Sequence, residues 1–239
     1  MLQFILLLMG FVLMLLHQYF QPFTSGHQLF IFIAGIILLG VPHGAADLLV
    51  AMQNTLSGNK KFSKPGFFKS YMGRLILFAF VLWLFPLFGI ILFILFAAYH
   101  FGETDLHHCK TETFPGKILV TSYGLVILSF ILLVHVEEVK PILQILAPGL
   151  EHSGIFINLE SHRIILIALC GVFFLLSVLT YFHYNKIKVK QKDGWILFRF
   201  GLILVILFIL PMIMGFSFYF IIWHSVLSMT NIFQYLRRN

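Results

Sequence analysis

Three histidines lie where an ionisable side chain is least expected, inside long apolar runs of a 239-residue chain. They are His43 in Gly40-Val41-Pro42-His43-Gly44-Ala45-Ala46-Asp47, His100 in Tyr99-His100-Phe101-Gly102-Glu103-Thr104-Asp105, and His224 in Trp223-His224-Ser225. Imidazole is a ligand for Fe, Zn, Cu and Ni. Ionisable groups at membrane depth are costly, about 2.5–3.5 kcal/mol for Asp, Lys or Arg on insertion scales, so they face the bundle interior and are functional candidates. If helix resumes after Pro42, His43 and Asp47 are four apart on one face, where a carboxylate can orient an imidazole. His100 and Glu103 share a face in the same way, and Asp105 falls at or past the helix end. His224, Ser228, Asn231 and Tyr235 recur at i, i+4, i+7 and i+11, a polar stripe that should turn inward. The three imidazoles could share one metal ion, glue helices by hydrogen bonds, or line a proton or ion path.

The surroundings of these residues define the medium. Hydrophobic residues make up 60% of the chain and charged residues 10%, against the roughly 25% charged that covers a soluble domain. Mean hydropathy is +0.97. Lipid must cover what charge does not, which excludes a soluble domain and a nucleic-acid binder despite the net charge of +7. Cys109 and Cys170 form no CxxC and no disulfide framework. The first apolar run lacks the basic flank and cleavage site of a secretory signal, so residues 2–20 are expected to be a retained helix. No internal repeat is visible, which disfavours the transporter architecture built from paired broken helices. A single integral membrane domain over residues 1–239 is expected.

A spanning helix needs about 20 apolar residues. The runs at 67–103 and 194–236 are too long for one crossing and divide at Pro86 and at Pro211–Gly215. The result is an all-α transmembrane bundle of about eight helices: 2–20, 28–53, 67–85, 87–103, 117–136, 162–184, 194–210 and 216–236. Lys and Arg then fall fourteen on one side and two on the other, whereas merging 67–103 leaves nine against seven. The positive-inside rule selects the eight-helix reading with both termini cytoplasmic. The even-numbered helices, which carry all three histidines, run parallel. His43 and His100 come out at similar depth; His224 is shallower unless its helix begins nearer Pro211. Residues 137–161 form a non-cytoplasmic loop in which Pro141–Leu150 is expected to be a short interfacial helix. His17, His27, His135, His152, His162 and His183 sit at helix ends or in loops. His107, His108 and Cys109 look like a metal cluster but fall in a wet loop. Trp83 and Trp195 suit the interfaces.

Pro42-His43-Gly44-Ala45 with Asp47, Tyr99-His100-Phe101-Gly102 with Asp105, and Trp223-His224-Ser225, in that order, resemble the Brp/Blh family of membrane-embedded bacterial and archaeal β-carotene 15,15′-dioxygenases. The likeness extends over nearly the whole chain. It implies cleavage of β-carotene by O2 at a histidine-bound non-haem Fe(II), with retinal as product, in a prokaryotic plasma membrane. By that resemblance His43, His100 and His224 are iron ligands with Asp47 and Asp105 as supporting groups, and an opsin is a possible recipient of the retinal. By their position beside the histidines, Glu103 and Ser228 are further candidates for that supporting shell. No nucleic acid is implied. The family's last motif usually carries a second histidine four residues after the first. Here that position is Ser228, so a catalytically altered, carotenoid- or retinal-handling or opsin-assembly protein is the alternative.

Overall fold

A computed structural model describes residues 1–20, 23–58, 61–107, 109–148, 155–186 and 191–238. His108 and His152 lie outside the described residues, and the side chain of Asp47 lies outside those described. The described residues form an all-helical bundle without strands. In chain order these are α1 (Leu2–Phe20), α2 (Ser25–Gly35, Ile36–Gly40 and Val41–Ser57 in unbroken succession), α3 (Lys64–Leu84), α4 (Pro86–Asp105) and α5 (Phe114–Leu133). There follow α6 (Val136–Leu146), α7 (Ile155–Asn185), α8 (Gln191–Ile209) and α9 (Met212–Phe216, Ser217–Ser225 and Val226–Arg238). Seven are long and apolar enough to cross a membrane, and Gly194–Ile209 of α8 is a shorter apolar helix. The chain is a multi-pass membrane protein. These eight match the eight expected, with boundaries shifted by up to about seven residues at the start of α7.

Local chemistry sets the ends. Thr24, Ser63 and Thr113 cap α2, α3 and α5 by accepting the backbone N–H of His27, Gly66 and Gly116. Pro86 opens α4, where a missing N–H costs nothing. The short helix α6 begins at Val136 rather than Pro141 and places Glu137 and Glu138 in its first turn, where carboxylates complement the helix dipole.

The break between α8 and α9 is closed by side chains. Pro211 has no N–H to give the Leu207 carbonyl. His135 Nε2 contacts that carbonyl at 3.0 Å, and Glu138 Oε2 accepts the Met212 N–H at 3.0 Å. Two backbone groups that a proline break would orphan at membrane depth are thus satisfied from one corner of the chain. This lets α9 begin at Met212, four residues before the expected start, with Gly215 inside the helix.

The core is centred on α5 and α9, whose apolar windows are 61% and 67% buried, while the window of α3 is 0% buried and packs chiefly on α4. α4 and α5 cross backbone to backbone. A Cβ on Gly102 would lie 1.8 Å from the Val120 carbonyl oxygen, and one on Gly124 would lie 1.9 Å from that of Ala98. Ala98/Gly102 and Val120/Gly124 are therefore two small-residue pairs facing each other on antiparallel helices, the lipid-phase route to close packing. Ser122 and Ser177 hydroxyls, 2.6 Å apart, join α5 to α7.

Gly102→Ala is expected to lower stability by the upper end of the ~1–3 kcal/mol typical of overpacking, because backbone rather than a side-chain tip must move. Gly201→Ala, where a Cβ meets nothing within 4 Å, should be neutral or stabilising by up to ~1 kcal/mol. Thermal unfolding in detergent reads both, and equal effects would refute the zipper.

Candidate metal centre

Each histidine is delivered by a different helix. The segment of α2 before His43 is wound as a π-helix from Ile36 to Gly40, with the Val41 N–H reaching the Ile36 carbonyl five residues back. Pro42 cannot donate, so the chain there has one ordinary helical bond fewer to lose. α9 is π-helical from Ser217 to Ser225, which includes Trp223 and His224. The Ser225 hydroxyl donates to the Phe220 carbonyl at 2.8 Å, occupying an acceptor beside the histidine. Single π turns cluster at functional sites, and here they precede one candidate ligand and contain another. The two segments touch: a Cβ on Gly35 would lie 2.6 Å from Ile221 Cδ1.

These helices run in one direction, as the charge count required. His43 and His224 have ring centroids 5.3 Å apart, and eleven residues further along both helices Tyr235 donates to Asn54 Oδ1 at 2.5 Å. Asn231 Nδ2 likewise donates to the Thr104 carbonyl at 3.5 Å, past His224 and His100. With α9 starting at Met212, His224 reaches the depth of the other two. The polar stripe turns inward at Ser228, which is 8% exposed, and at Asn231, which bonds to α4; Tyr235 at its end is exposed and bonds to α2.

One possible ligand atom from each of His43, His100 and His224 lies within 4.8 Å of the other two, and among the described residues no Asp, Glu or Cys joins them. His224 Nε2 is 3.2 Å from His100 Nε2. His224 is fully buried and its Nδ1 has no hydrogen-bond partner among the described residues. His43 is buried and His100 is exposed. Phe101 and Phe220 wall His224, with centroids at 4.8 and 6.1 Å.

This arrangement is poor as mere glue. Two facing Nε2 atoms can share only one proton, and the buried Nδ1 of His224 forgoes a bond that burial normally demands. The donor set fits a first-row divalent ion. Imidazole–metal bonds of about 2.0–2.1 Å require nitrogens within roughly twice that distance. The His224–His100 pair meets this at 3.2 Å, the whole set closes to within 4.8 Å, and imidazole donors suit Zn, Cu, Fe and Ni.

The acidic residues fall elsewhere. Glu103 accepts from Tyr99 OH at 3.0 Å and stands outside the histidine group. Tyr99, four residues back, offers it an O–H donor. Asp105 is the last residue of α4, and it is buried at 2% exposure rather than fraying into solvent. Tyr123 OH (2.8 Å) and Tyr219 OH (3.1 Å) donate to its Oδ2, and Trp223 Nε1 donates to both oxygens at 3.0 and 3.1 Å. Arg199 was assigned by its charge to the helix-end count, yet it is 3% exposed, with its guanidinium 5.6 Å from the Trp223 ring centroid and bonded to Gln3. The signal that could have found it is the one that found the histidines: a cation inside an apolar run, Trp195-Ile196-Leu197-Phe198-Arg199-Phe200.

Residues 34–239 match the family model for beta-carotene 15,15′-dioxygenase. No curated protein and no solved structure matches the chain.

Adding a divalent first-row metal to metal-free protein should raise its stability by RT ln(1 + [L]/Kd), about 2.7 kcal/mol at a hundredfold excess over Kd. Alanine at His43, His100 or His224 should each remove that increment, read as the shift in thermal midpoint. A shift that survives all three substitutions would place the metal elsewhere.

Proposed function

This chain belongs to the beta-carotene 15,15′-dioxygenase family, and we propose that it cleaves the central double bond of β-carotene at an Fe(II) ion held by His43, His100 and His224. One O2 supplies one oxygen atom to each half, so the products are two molecules of retinal. The observation that carries this reading is the convergence of three imidazoles from three parallel helices, with no counter-charge among the described residues. Ferrous iron, when bound, supplies the activation of O2.

The chain's own residues do the rest. His43 and His224 hold their donors in a dry interior, while exposed His100 connects the cluster to the surface. On either side of that opening the helices present apolar side chains, Leu38 and Val41 on α2 and Phe93 and Phe96 on α4, each more than half exposed. A hydrocarbon about as long as the ~30 Å apolar core of a bilayer is thick can approach such a face from lipid. Phe101 and Phe220 exclude water from the buried side and fix the His224 ring. On this reading the protein sits in a prokaryotic plasma membrane with both termini cytoplasmic and releases retinal into the bilayer, where an opsin is a suitable recipient.

Ser228 lies one turn beyond His224 and is buried. Three protein ligands leave positions open at many catalytic metal sites, so its hydroxyl need not bind iron. Co-expression in a β-carotene-producing host should bleach the cells and yield retinal, and His43→Ala should leave the colour at the level of cells lacking the protein. Ser228→His should bind Fe(II) more tightly than the wild type. Unchanged colour with well-expressed, iron-loaded protein would overturn the cleavage reading in favour of a carotenoid- or retinal-handling role.

A further inference from the structure

A second buried polar group, which cleavage chemistry does not use, is centred on Asp105 and reaches the histidine cluster through Trp223. It draws on five helices. Gln3 of α1 meets Arg199 of α8; Arg199 lies over Trp223 of α9 and within electrostatic reach of Asp105 of α4; Tyr123 of α5 and Tyr219 of α9 complete the shell. A buried carboxylate or guanidinium alone would be strongly unfavourable, and each requires the other or an equivalent set of donors. Between them stands the indole of Trp223, with its N–H on Asp105 and its ring under Arg199.

Trp223 directly precedes His224. Successive side chains on a helix point roughly 100° apart, so an indole locked on one side dictates where the next imidazole points on the other. The lock acts inside the π-helical stretch Ser217–Ser225, where the backbone ladder is least able to set orientation by itself. Phe101 extends the same shell, lying 5.1 Å from the Tyr219 ring and 4.8 Å from the His224 ring.

We propose that Arg199 and Asp105 are a mutually compensating buried charge pair that, by clamping Trp223 between them, positions His224 as a metal ligand. Arg199 is thereby a positioning residue for the centre, although it touches none of the three histidines. The proposal rests on the metal reading given above.

The test uses the full chain in detergent, with Co(II) alone as the probe and its visible absorption as the readout beside the thermal midpoint. The variants are Arg199→Gln, Asp105→Asn, the double variant, Arg199→Lys, and Trp223→Phe as a milder change that removes only the indole N–H and some ring area. Arg199→Gln and Trp223→Phe should weaken Co(II) binding about 10-fold or more, the lower end of what lost supporting contacts cost metal sites, and should alter the absorption band. Arg199→Lys should recover part of the affinity. The double variant should lose less than the product of the single losses, because it leaves no lone charge. Co(II) affinity and spectrum unchanged while the thermal midpoint falls would reduce the network to packing and overturn the proposal. Strictly multiplicative losses in the double variant would overturn the pairing. Wild-type protein that binds no Co(II) would instead overturn the metal reading, and this proposal with it.

Discussion

At membrane depth no water is present to complete a hydrogen bond, so every polar atom that enters the bundle must bring its partner or find one on a neighbouring helix. Much of this architecture can be traced to that demand. The carbonyl and N–H left over at Pro211 are met by His135 and Glu138. Ser122 answers Ser177 across α5 and α7. The carboxylate of Asp105 collects three side-chain donors from two helices. At the histidine cluster two Nε2 atoms face each other, and His224 Nδ1 has no partner among the described residues. In the adjoining network Arg199 Nε is also without a partner among the described residues, so it is the facing pair of Nε2 atoms that marks the cluster as a place for a ligand.

Support and site are arranged as an outer and an inner set. α3 contributes cover and little else, with no part of its apolar window buried. α4 is pulled tightly onto α5 by paired small residues, which fixes His100 and Asp105 on a stiff element. α2 and α9 approach each other through Gly35 and Ile221, bringing together the two π-wound stretches. Precision is thus concentrated on the three helices that carry imidazoles, while flanking helices supply apolar bulk. The buried Arg199 extends this precision outward to α8 and, through Gln3, to α1.

The bundle was legible in the sequence because its signals are long and redundant. Six apolar runs, two of them divided at Pro86 and Pro211, appear as eight apolar helices, and charge counting gave the parallel sense of α2, α4 and α9 that the contacts bear out. The choice of His43, His100 and His224 from eleven histidines agrees with their convergence. What stayed hidden depended on side chains far apart in sequence. The depth of His224 turned on Glu138, 74 residues from the N–H it caps. Glu103 shares its nominal face with His100 but bonds to Tyr99, because a nearby hydroxyl competes with a site one turn away. Arg199 passed as an ordinary helix-end cation, since counting charges by side cannot distinguish a snorkelling residue from one with a buried partner. Asp105 does end its helix as the sequence indicates, but the shell that Tyr123, Tyr219 and Trp223 build around it comes from residues 18 to 118 positions away and is invisible locally.

The π-wound segments before His43 and around His224 have a consequence of a different kind. Counting 3.6 residues per turn from either helix start gives the wrong azimuth for the imidazole, because each segment holds more residues per turn than an α-helix does. Relaxing Ile36–Gly40 from π to α-helical winding at constant length would turn His43 roughly a quarter turn away from its partners, since an α-helix advances about 100° per residue and a π turn about 80°. Losing one residue in the same step would largely restore its direction. Point substitutions in that stretch change a surface that lipid tolerates. In evolutionary terms, a codon lost together with the π turn leaves the imidazole pointing where it did, so the centre depends on the winding of that stretch more than on its residue count.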